Sequence, residues 1–374
     1  MSQIAGYCHP DFEPVREVFA AALEAGEELG AGFAFVVAGE VVVDIAGGYA
    51  DRAKFRPFDL KTLTPVFSTT KALAAIMVAR LVDQGRLAYD QTVASVWPEF
   101  AQAGKGAITV EQALSHQAGL PGFAEPMDPE LWLDWDAICA KLAAMAPLWS
   151  PGTASGYHAA TYGFLAGEIF RRVDGRTLGR ALAEDIALPH GLDLWIGLPE
   201  SEDARVAEVE RPKALPHFGE INEPRRLAFM TRWASPGVRG GDGWRRAELP
   251  ASNGHCTAGA LARLMGAIAA DGRLGGSTVL SPPAIAAASR ERIHGPDLVM
   301  PYDMSWGAGF MRNARLGMYG SNPRNFGHSG WGGSCAFADP DAEVAAAYVM
   351  NRQSSLLLGD PRSRHLIEAA YGCL

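Results

Sequence analysis

The sequence predicts an α+β fold, in which one antiparallel sheet is built from both ends of the chain, flanked by terminal helices, and carries an inserted helical lobe. Strand-like runs lie at residues 30–51 and 334–351, and helical patterns fill the middle. The 374 residues are 48% hydrophobic, which is enough to bury a large core. We therefore expect a single domain, with a sheet lobe from residues 1–64 and 280–374 and a helical lobe from residues 65–279.

The two ends of the chain carry the sheet signals. Apolar residues at helical spacing predict a helix over 11–29, and the next run reads as two strands joined by a turn at Ala38-Gly39-Glu40. Near the end, residues 334–351 read as a strand, a turn at Pro340-Asp341 and a second strand. A closing helix is predicted over 362–371.

The helical lobe begins with a long apolar pattern after Ser68. Its spacing predicts a helix of about five turns that stops at Gly85. Residues 195–250 are rich in Pro, Gly and Arg, and they predict a long surface excursion with Arg225-Arg226 and Arg245-Arg246 on a solvated face. Further helices are predicted over 111–115, 136–144, 160–173, 178–186 and 257–272.

Charge and cysteine usage limit the partners and the compartment. The formal charge of −9, from 33 basic and 42 acidic residues, argues against nucleic acid or an anionic membrane as the main partner. The start of the chain shows no secretory pattern, and no stretch approaches the length of a membrane span. We expect a cytoplasmic monomer or homodimer with reduced thiols at Cys8, Cys139, Cys256, Cys335 and Cys373.

A hydroxyl and an amine lie one helical turn apart in "FSTTKALAA". Ser68 at a helix start is exposed at the positive end of the helix dipole, which favours developing negative charge. Apolar neighbours disfavour a charged Lys71, so its amine can accept the serine proton. An N-cap serine beside a solvated lysine is the ordinary alternative for such a motif.

Two further stretches add to this pair. Tyr157 lies in a Gly-bounded loop just before a helix, where a phenol can relay a proton or simply pack. The stretch "FGHSGWGGSCAF" is a Gly-rich turn that leads into a late strand. Glycines allow a backbone to approach a ligand closely, and an edge N–H there can polarise a carbonyl. The alternative is a tight turn with a buried tryptophan.

Together, in this order, these motifs resemble the superfamily of serine β-lactamases and penicillin-binding proteins, which carries an S-x-x-K signature. The likeness covers nearly the whole chain and is closer to class C β-lactamases, and especially to family VIII carboxylesterases. It includes "GGYAD", "LSHQAGLPGF", Pro151-Gly152-Thr153 before Tyr157, "NGHCTAGALARL" and "GHSGWGG". The resemblance implies a β-lactamase-like fold.

The resemblance also implies roles for individual residues. Ser68 matches the nucleophile and Lys71 its partner base, while Tyr157 matches the tyrosine that shares the proton work. His328-Ser329-Gly330 matches the K-T-G box, which places His328 and Gly330 in the substrate pocket. Trp331 then occupies the position whose backbone N–H joins that of Ser68 in the oxyanion hole.

Two departures from the family pattern bear on the substrate. Ala159 replaces the asparagine of the Y-x-N box, and His328 replaces the K-T-G lysine, whose charge helps to hold a substrate carboxylate. An imidazole is mostly neutral near pH 7 and holds a carboxylate poorly. Both changes weaken recognition of penicillins and peptides without touching acyl transfer, so they favour neutral esters.

Other motifs in the sequence give weaker indications of a catalytic or metal site. Gly327-His328-Ser329-Gly330 resembles a nucleophile elbow, but Trp331 stands where G-x-S-x-G needs glycine. We expect His116 and His255 to have packing roles, and Phe123, Trp132 and Trp135 to line an acyl pocket or to belong to the core. The histidines show no metal-binding spacing, so no metal or other cofactor is expected.

The sequence thus predicts a serine hydrolase that cleaves small, short-acyl carboxylic esters through an acyl-enzyme on Ser68. A β-lactamase or D-amino-acid peptidase on the same machinery is one alternative. A non-catalytic binding homologue that has kept the fold is another. A small-molecule ester is the expected partner.

Overall fold

A computed structural model describes residues 4–237 and 239–374, and its elements are numbered here in chain order. The α-helices α1–α11 are Glu13–Glu24, Thr70–Asp83, Val110–Leu114, Trp135–Ala144, Thr161–Asp174, Leu178–Leu182, Glu223–Phe229, Asp242–Arg246, Ala258–Ala269, Pro282–Ser289 and Pro361–Tyr371. The strands β1–β14 are Ala5–Cys8, Gly30–Val37, Glu40–Gly48, Thr64–Pro65, Leu194–Trp195, His255–Cys256, Arg273–Leu274, Ser277–Thr278, Ile293–Pro296, Asp303–Trp306, Met311–Arg312, Phe326–Ser329, Cys335–Asp339 and Val344–Met350. Short 3₁₀ turns include Pro10–Phe12, Phe67–Thr69, Val93–Ser95, Pro98–Gly104, Pro129–Leu133 and Glu200–Arg205, and Ala183–Ala187 is a π-helical turn.

The central sheet joins the two ends of the chain, as predicted. Its nine strands run in the order β1-β3-β2-β14-β13-β12-β11-β10-β9, and every pairing among them is antiparallel. The pairing of β2 with β14, which sets Phe35 opposite Ala346, brings the N-terminal hairpin beside the C-terminal one. The α+β architecture is therefore confirmed.

Local turn chemistry explains both hairpins. Ala38 and Gly39 have φ values of 48° and 83°, as a tight two-residue hairpin turn requires, and they lie at the predicted turn. The second hairpin turns between Asp339 and Val344, around the predicted Pro340-Asp341. The terminal helices α1 and α11 pack against each other beside the sheet, with Phe12, Phe35 and Leu366 in one apolar cluster.

Helix α9 lies on the sheet, although the sequence places 257–272 in the helical lobe. It contacts β2, β13 and β14. Small residues allow this close approach, since a Cβ at Gly266 would lie 2.6 Å from Val36 Cγ1 and one at Gly259 would lie 2.4 Å from Asp44 Oδ2. The pattern of this helix shows its type but not which layer it joins.

The helical lobe surrounds α2. Nearly every side chain of α2 is buried, and it contacts α5, α6 and α10. The observed helices α3 to α6 agree with the predicted ones to within a few residues. α2 and the 3₁₀ turn Phe67–Thr69 that precedes it also contact β12, so the start of this helix meets an inner strand of the central sheet.

The cysteines and the hydropathy of the helices are known for the whole of the described ranges. The five cysteines all lie in the described part of the chain and are free thiols. Among the helices in residues 4–237 and 239–374, none has the length and apolar character needed to span a bilayer.

Candidate active site

Ser68 lies in the 3₁₀ turn Phe67–Thr69 that precedes α2. The turn is closed by a hydrogen bond from the Thr69 amide to the Val66 carbonyl at 3.1 Å, and by another from the Thr70 hydroxyl to the Phe67 carbonyl. Phe67 has a φ of 48°, which is uncommon for a bulky residue and is typically retained where the surrounding structure enforces it. This turn places the serine hydroxyl at the N-terminal end of the helix.

Lys71, the second residue of α2, is fully buried, with its amine turned toward the serine. Its Nζ lies 3.3 Å from Ser68 Oγ, 2.8 Å from the carbonyl oxygen of Ala159 and 3.0 Å from that of Ala251. A neutral amine has two N–H donors and one lone pair. Two carbonyls accept the donors, so the lone pair is directed to the serine hydroxyl.

The surroundings of Lys71 favour its neutral form. Burial alone holds the pKa of this amine well below its ordinary value of 10.5. A neutral amine beside a hydroxyl is the state that a general base requires.

Tyr157 completes the cluster at Ser68. Its side chain is buried and borders the same cleft as Ser68. Burial raises the pKa of its hydroxyl above the ordinary value of 10.0, and the neighbouring Ser68 hydroxyl partly offsets this rise. The ring stacks on Trp306, with centroids 5.7 Å apart and planes at 10°, and packs on His116 at 4.9 Å. The structure therefore brings Ser68, Lys71 and Tyr157 together.

Asp297 positions Tyr157 and was not identified from the sequence. Its Oδ1 accepts the amide N–H of Tyr157 at 2.9 Å, and its Oδ2 accepts the Ser155 hydroxyl at 2.9 Å and the Trp306 indole N–H at 3.2 Å. The amides of Val299 and Met300 also donate to it. Because 140 residues separate Asp297 from Tyr157, no local pattern reveals this contact.

The Gly-rich turn after β12 lies against the serine turn. A Cβ at Gly330 would lie 2.2 Å from the Val66 carbonyl oxygen, so only glycine allows this approach. Ser334 Oγ donates to the same carbonyl at 2.8 Å and lies 3.0 Å from Thr69 Oγ1. The rings of Phe67 and Trp331 meet edge to face, with centroids 6.2 Å apart. Trp331 thus neighbours the serine turn.

His328 and Ser329 point to opposite sides of β12, as successive strand residues do. The His328 ring is fully buried behind Tyr157, 6.1 Å between centroids, and does not line the cleft at Ser68. Burial and the nearby Lys71 lower its pKa, so the imidazole is neutral. Ser329 faces the cleft, but its Oγ lies 2.9 Å from the Tyr319 hydroxyl, and no amine or imidazole of the described residues hydrogen-bonds to it.

The cleft at Ser68, called the serine cleft below, has a volume of about 420 Å³. Ser68, Tyr157 and Trp331 form part of its wall. Most of the remaining wall is apolar and includes Phe218, Phe229, Met230, Met300, Met311 and Leu357. A concave apolar site with a few convergent polar groups is typical of a small-molecule site.

Three aromatic residues predicted for the acyl pocket do not line this cleft. Phe123 and Trp132 are buried in the helical lobe, with ring centroids 5.4 Å apart, and the Trp132 indole donates to the Trp233 carbonyl at 2.8 Å. Trp135 packs on Phe164 and borders a separate cavity of about 210 Å³. Their rings fill the lobe because its helices meet there. Gly330 likewise supports the site through its backbone and is absent from the cleft wall.

The 195–250 segment is more than a surface excursion. It contains α7 and α8 and supplies part of the serine cleft wall, including Phe218, Phe229 and Arg239. Arg225 is buried and donates to the Val299 carbonyl at 2.7 Å, while Arg245 and Arg246 both pair with Asp203. The expectation of a solvated face was therefore wrong for these three arginines. Their side chains tie the segment to the body of the protein.

His116 and His255 have the environments expected of packing residues. His116 is buried beneath Tyr157, and its Nδ1 accepts the amide N–H of His158 at 3.1 Å. His255 is buried, with Nδ1 2.8 Å from the Asn253 carbonyl oxygen. Burial lowers the pKa of both rings, that of His255 to about 4.

Comparisons with known proteins assign the chain to a family. The family model described as Beta-lactamase matches residues 15–371. A relative from Mycobacterium tuberculosis, named Esterase/beta-lactamase LipL, is 34% identical, and the match covers 95% of this chain and 85% of the relative. Esterase activity thus appears in the name of a close-to-full-length relative.

Two solved structures match over the full length of both chains. A penicillin-binding protein homologue from Caulobacter crescentus is 63% identical with a TM-score of 0.98, and a family VIII carboxylesterase is 44% identical with a TM-score of 0.94. These relatives support a serine hydrolase and, at the level of the family, ester hydrolysis. The chain belongs to the Beta-lactamase family, within the superfamily of serine β-lactamases and penicillin-binding proteins.

Proposed function

We propose that this protein is a serine carboxylesterase that hydrolyses small, short-acyl esters through an acyl-enzyme on Ser68. One observation carries the proposal: two carbonyls hold the buried amine of Lys71, whose Nζ lies 3.3 Å from the serine Oγ. An amine held in this way is a base prepared for one hydroxyl.

In the acylation step, Lys71 takes the Ser68 proton as Oγ attacks the ester carbonyl carbon. The amides of Ser68 and Trp331 stabilise the oxyanion, a contribution whose loss typically costs about 10²–10³ in rate. The bond from the carbonyl carbon to the alcohol oxygen then breaks. The proton held by Lys71 passes to the departing alcohol, with Tyr157 as the relay.

In the deacylation step, a water molecule attacks the acyl carbon and releases the acid. The Tyr157 hydroxyl accepts a proton from this water as its own proton passes to the neighbouring Ser68 Oγ. A relay of this kind does not require a free phenolate, which agrees with the raised pKa of Tyr157. The serine hydroxyl is restored and the cycle closes.

The site disfavours β-lactams on physical grounds. His328 stands where the K-T-G lysine supplies a positive charge, and it is buried and neutral. The serine cleft wall is largely apolar. An uncharged ester therefore loses little binding free energy on entering the cleft. A β-lactam finds no charged partner for its carboxylate at the position of His328.

The test compares p-nitrophenyl butyrate with nitrocefin, and adds labelling by a fluorophosphonate probe. We expect faster turnover of the ester, labelling of the wild type, and no labelling of Ser68→Ala. Much faster hydrolysis of nitrocefin would favour a β-lactamase. A wild type that takes no label would favour a non-catalytic homologue, and equal labelling of Ser68→Ala would exclude Ser68 as the nucleophile.

A further inference from the structure

A second cavity, called the arginine cavity below, adjoins the serine cleft. It has a volume of about 600 Å³. Several residues line both spaces, so the two meet at a shared wall: Phe67, Ser235, Pro236, Arg239, Trp244 and Trp331. Because Arg239 belongs to the wall of both spaces, a substrate whose ester lies at Ser68 can present a second group to this side chain.

The arginine cavity is strongly cationic within an acidic protein. Its wall carries Arg52, Arg211, Arg232, Arg239 and Arg245, against the single carboxylate of Glu208. Glu208 pairs with Arg52 at 3.6 Å, and Arg245 pairs with Asp203 at 3.1 Å. Within the described residues, no carboxylate lies in ion-pair distance of the other three guanidinium groups.

Arg239 stands at the junction of the two spaces. Its guanidinium lies 5.4 Å from the centroid of the Trp331 ring, and it donates a hydrogen bond to Ser235 Oγ. Burial and the nearby charge of Arg211 both lower the pKa of Arg239. Arg211 lines the same cavity, and two like charges in one partly enclosed space are unfavourable until an anion joins them.

We propose that the ester cleaved at Ser68 carries an anionic group, a carboxylate or a phosphate, that binds Arg239 and Arg211 in the arginine cavity. This inference rests on the proposed esterase function and names its substrate class. It also revises the expectation of neutral esters. Anion recognition is lost at His328 and is supplied instead by the 195–250 segment, on the other side of Trp331.

The chemistry of the two arginines fits this role. A guanidinium presents a planar fork of donors that binds carboxylate and phosphate oxygens in pairs. Arg211 is exposed and Arg239 half-buried, so one can attract the anion and the other can hold it. Because the protein carries a formal charge of −9, a local cationic cavity selects where an anionic substrate approaches.

The experiment uses three esters on the full-length protein. p-Nitrophenyl hemiglutarate has a carboxylate on the acyl side, 4-butyryloxybenzoate has one on the alcohol side, and methyl p-nitrophenyl glutarate is the neutral counterpart of the first. We expect the wild type to favour at least one anionic ester over the neutral one by about tenfold in kcat/KM. Added sodium chloride should reduce this preference, since salt screens charge. Inorganic phosphate and glutarate, each added as an inhibitor, distinguish the two kinds of anion.

Three variants sharpen the result. Arg239→Gln and Arg211→Gln should each lower the anionic-to-neutral ratio by about three- to tenfold, toward one. Arg180→Gln is the matched control, because Arg180 is exposed, pairs with Glu184 at 2.7 Å and lies outside both cavities; its ratio should not change. If Arg239→Gln does not fold, Arg211→Gln alone provides the test, because Arg211 is exposed.

The outcomes separate the two proposals. Turnover of the neutral ester with no anionic preference, or a preference that survives in both Arg239→Gln and Arg211→Gln, overturns the anionic substrate and leaves the esterase function standing. No turnover of any of the three esters overturns both.

Discussion

The carbonyl oxygen of Ala159 lies 2.8 Å from Nζ of Lys71. Ala159 occupies the position of the Y-x-N asparagine, so the residue that lacks the amide side chain still holds the amine through its main chain. With the Ala251 carbonyl at 3.0 Å, this contact uses both N–H donors of a neutral lysine. The direction of the lone pair toward Ser68 follows from these two contacts.

Replacement of Lys71 by arginine is expected to abolish most activity. A guanidinium stays protonated and cannot accept the serine proton, and loss of a general base typically costs about 10²–10⁴ in rate. Turnover of p-nitrophenyl butyrate measures the effect. Lys105→Met is the matched control, because Lys105 is also fully buried but contacts only the carbonyls of Gln102, Ala143 and Met145. It should lower Tm and leave kcat/KM near the wild-type value.

The pH dependence of activity should report the depressed pKa of Lys71. Below this pKa the amine is protonated and has no lone pair, so kcat/KM should rise with pH and level off well before pH 10.5. His116 and His328 are buried and neutral, so neither should add a step near pH 6.5. A profile that continues to climb to pH 10.5 would show an ordinary lysine and contradict the account.

Removal of the Tyr157 hydroxyl is expected to slow both proton transfers. Tyr157→Phe keeps the stacking on Trp306 and loses the hydroxyl that neighbours Ser68, so kcat should fall by about 10²–10⁴ with a small change in Tm. Tyr319→Phe is the control, since its hydroxyl lies 2.9 Å from Ser329 Oγ. Loss of activity in this control, with Tyr157→Phe active, would move the chemistry to Ser329.

A methyl group at Gly330 should move the Trp331 amide away from the Ser68 amide, the other donor of the proposed oxyanion hole. The new Cβ would lie 2.2 Å from the Val66 carbonyl oxygen, so the turn that carries Trp331 must move away from Ser68. We expect Gly330→Ala to lower kcat by about 10²–10³. Gly106→Ala, whose Cβ would meet nothing closer than 3.8 Å, serves as the control. Full activity in Gly330→Ala would exclude this turn from the site.

Acid should destabilise the fold through its buried histidines. Burial lowers the pKa of His158 to about 3 and of His255 to about 4, from an ordinary 6.5. The unfolded chain binds these protons first, so the stabilisation is present above pH 6.5 and is lost as the pH falls toward 4. Glu28 and Asp44, with pKa values raised to about 7 and about 6, oppose this loss over the same range.

The histidines should prevail in this balance. Each histidine that stays neutral in the folded protein costs that protein about 1.4 kcal/mol of unfolding free energy per pH unit below the unfolded pKa. His116 and His328 add to the effect of His158 and His255. Between pH 6.5 and pH 5 we expect a net loss of a few kcal/mol, measured by thermal unfolding. His255→Asn should flatten the acid limb, and the exposed His365→Asn should not. A Tm that rises as the pH falls from 6.5 to 5 would show that Glu28 and Asp44 outweigh the histidines.

The sequence predicts those parts of the fold that local chemistry decides. The turn at Ala38-Gly39 and the helix after Ser68 follow from residues close together in the chain. The placement of α9 on the sheet does not, because its small residues Gly259 and Gly266 acquire meaning only against β2 and its neighbours. Helical periodicity identifies an apolar face but not the surface that covers it.

The same limit applies to the site. The motif pair Ser68 and Lys71 is local, whereas the contact of Asp297 with Tyr157 spans 140 residues and leaves no trace in either segment. Trp132 illustrates a different difficulty, since an aromatic in an apolar lobe has the same sequence context whether it lines a cleft or fills a core. Only the packed structure places its ring against Phe123 and its indole on the Trp233 carbonyl.

The most direct test of the account is mass spectrometry of the protein after reaction with a fluorophosphonate, followed by peptide mapping. The account predicts one adduct, on the peptide that contains Ser68, and its loss in Lys71→Met under the same conditions. An adduct on the peptide that contains Ser329, or undiminished labelling of Ser68 without the Lys71 amine, would contradict it.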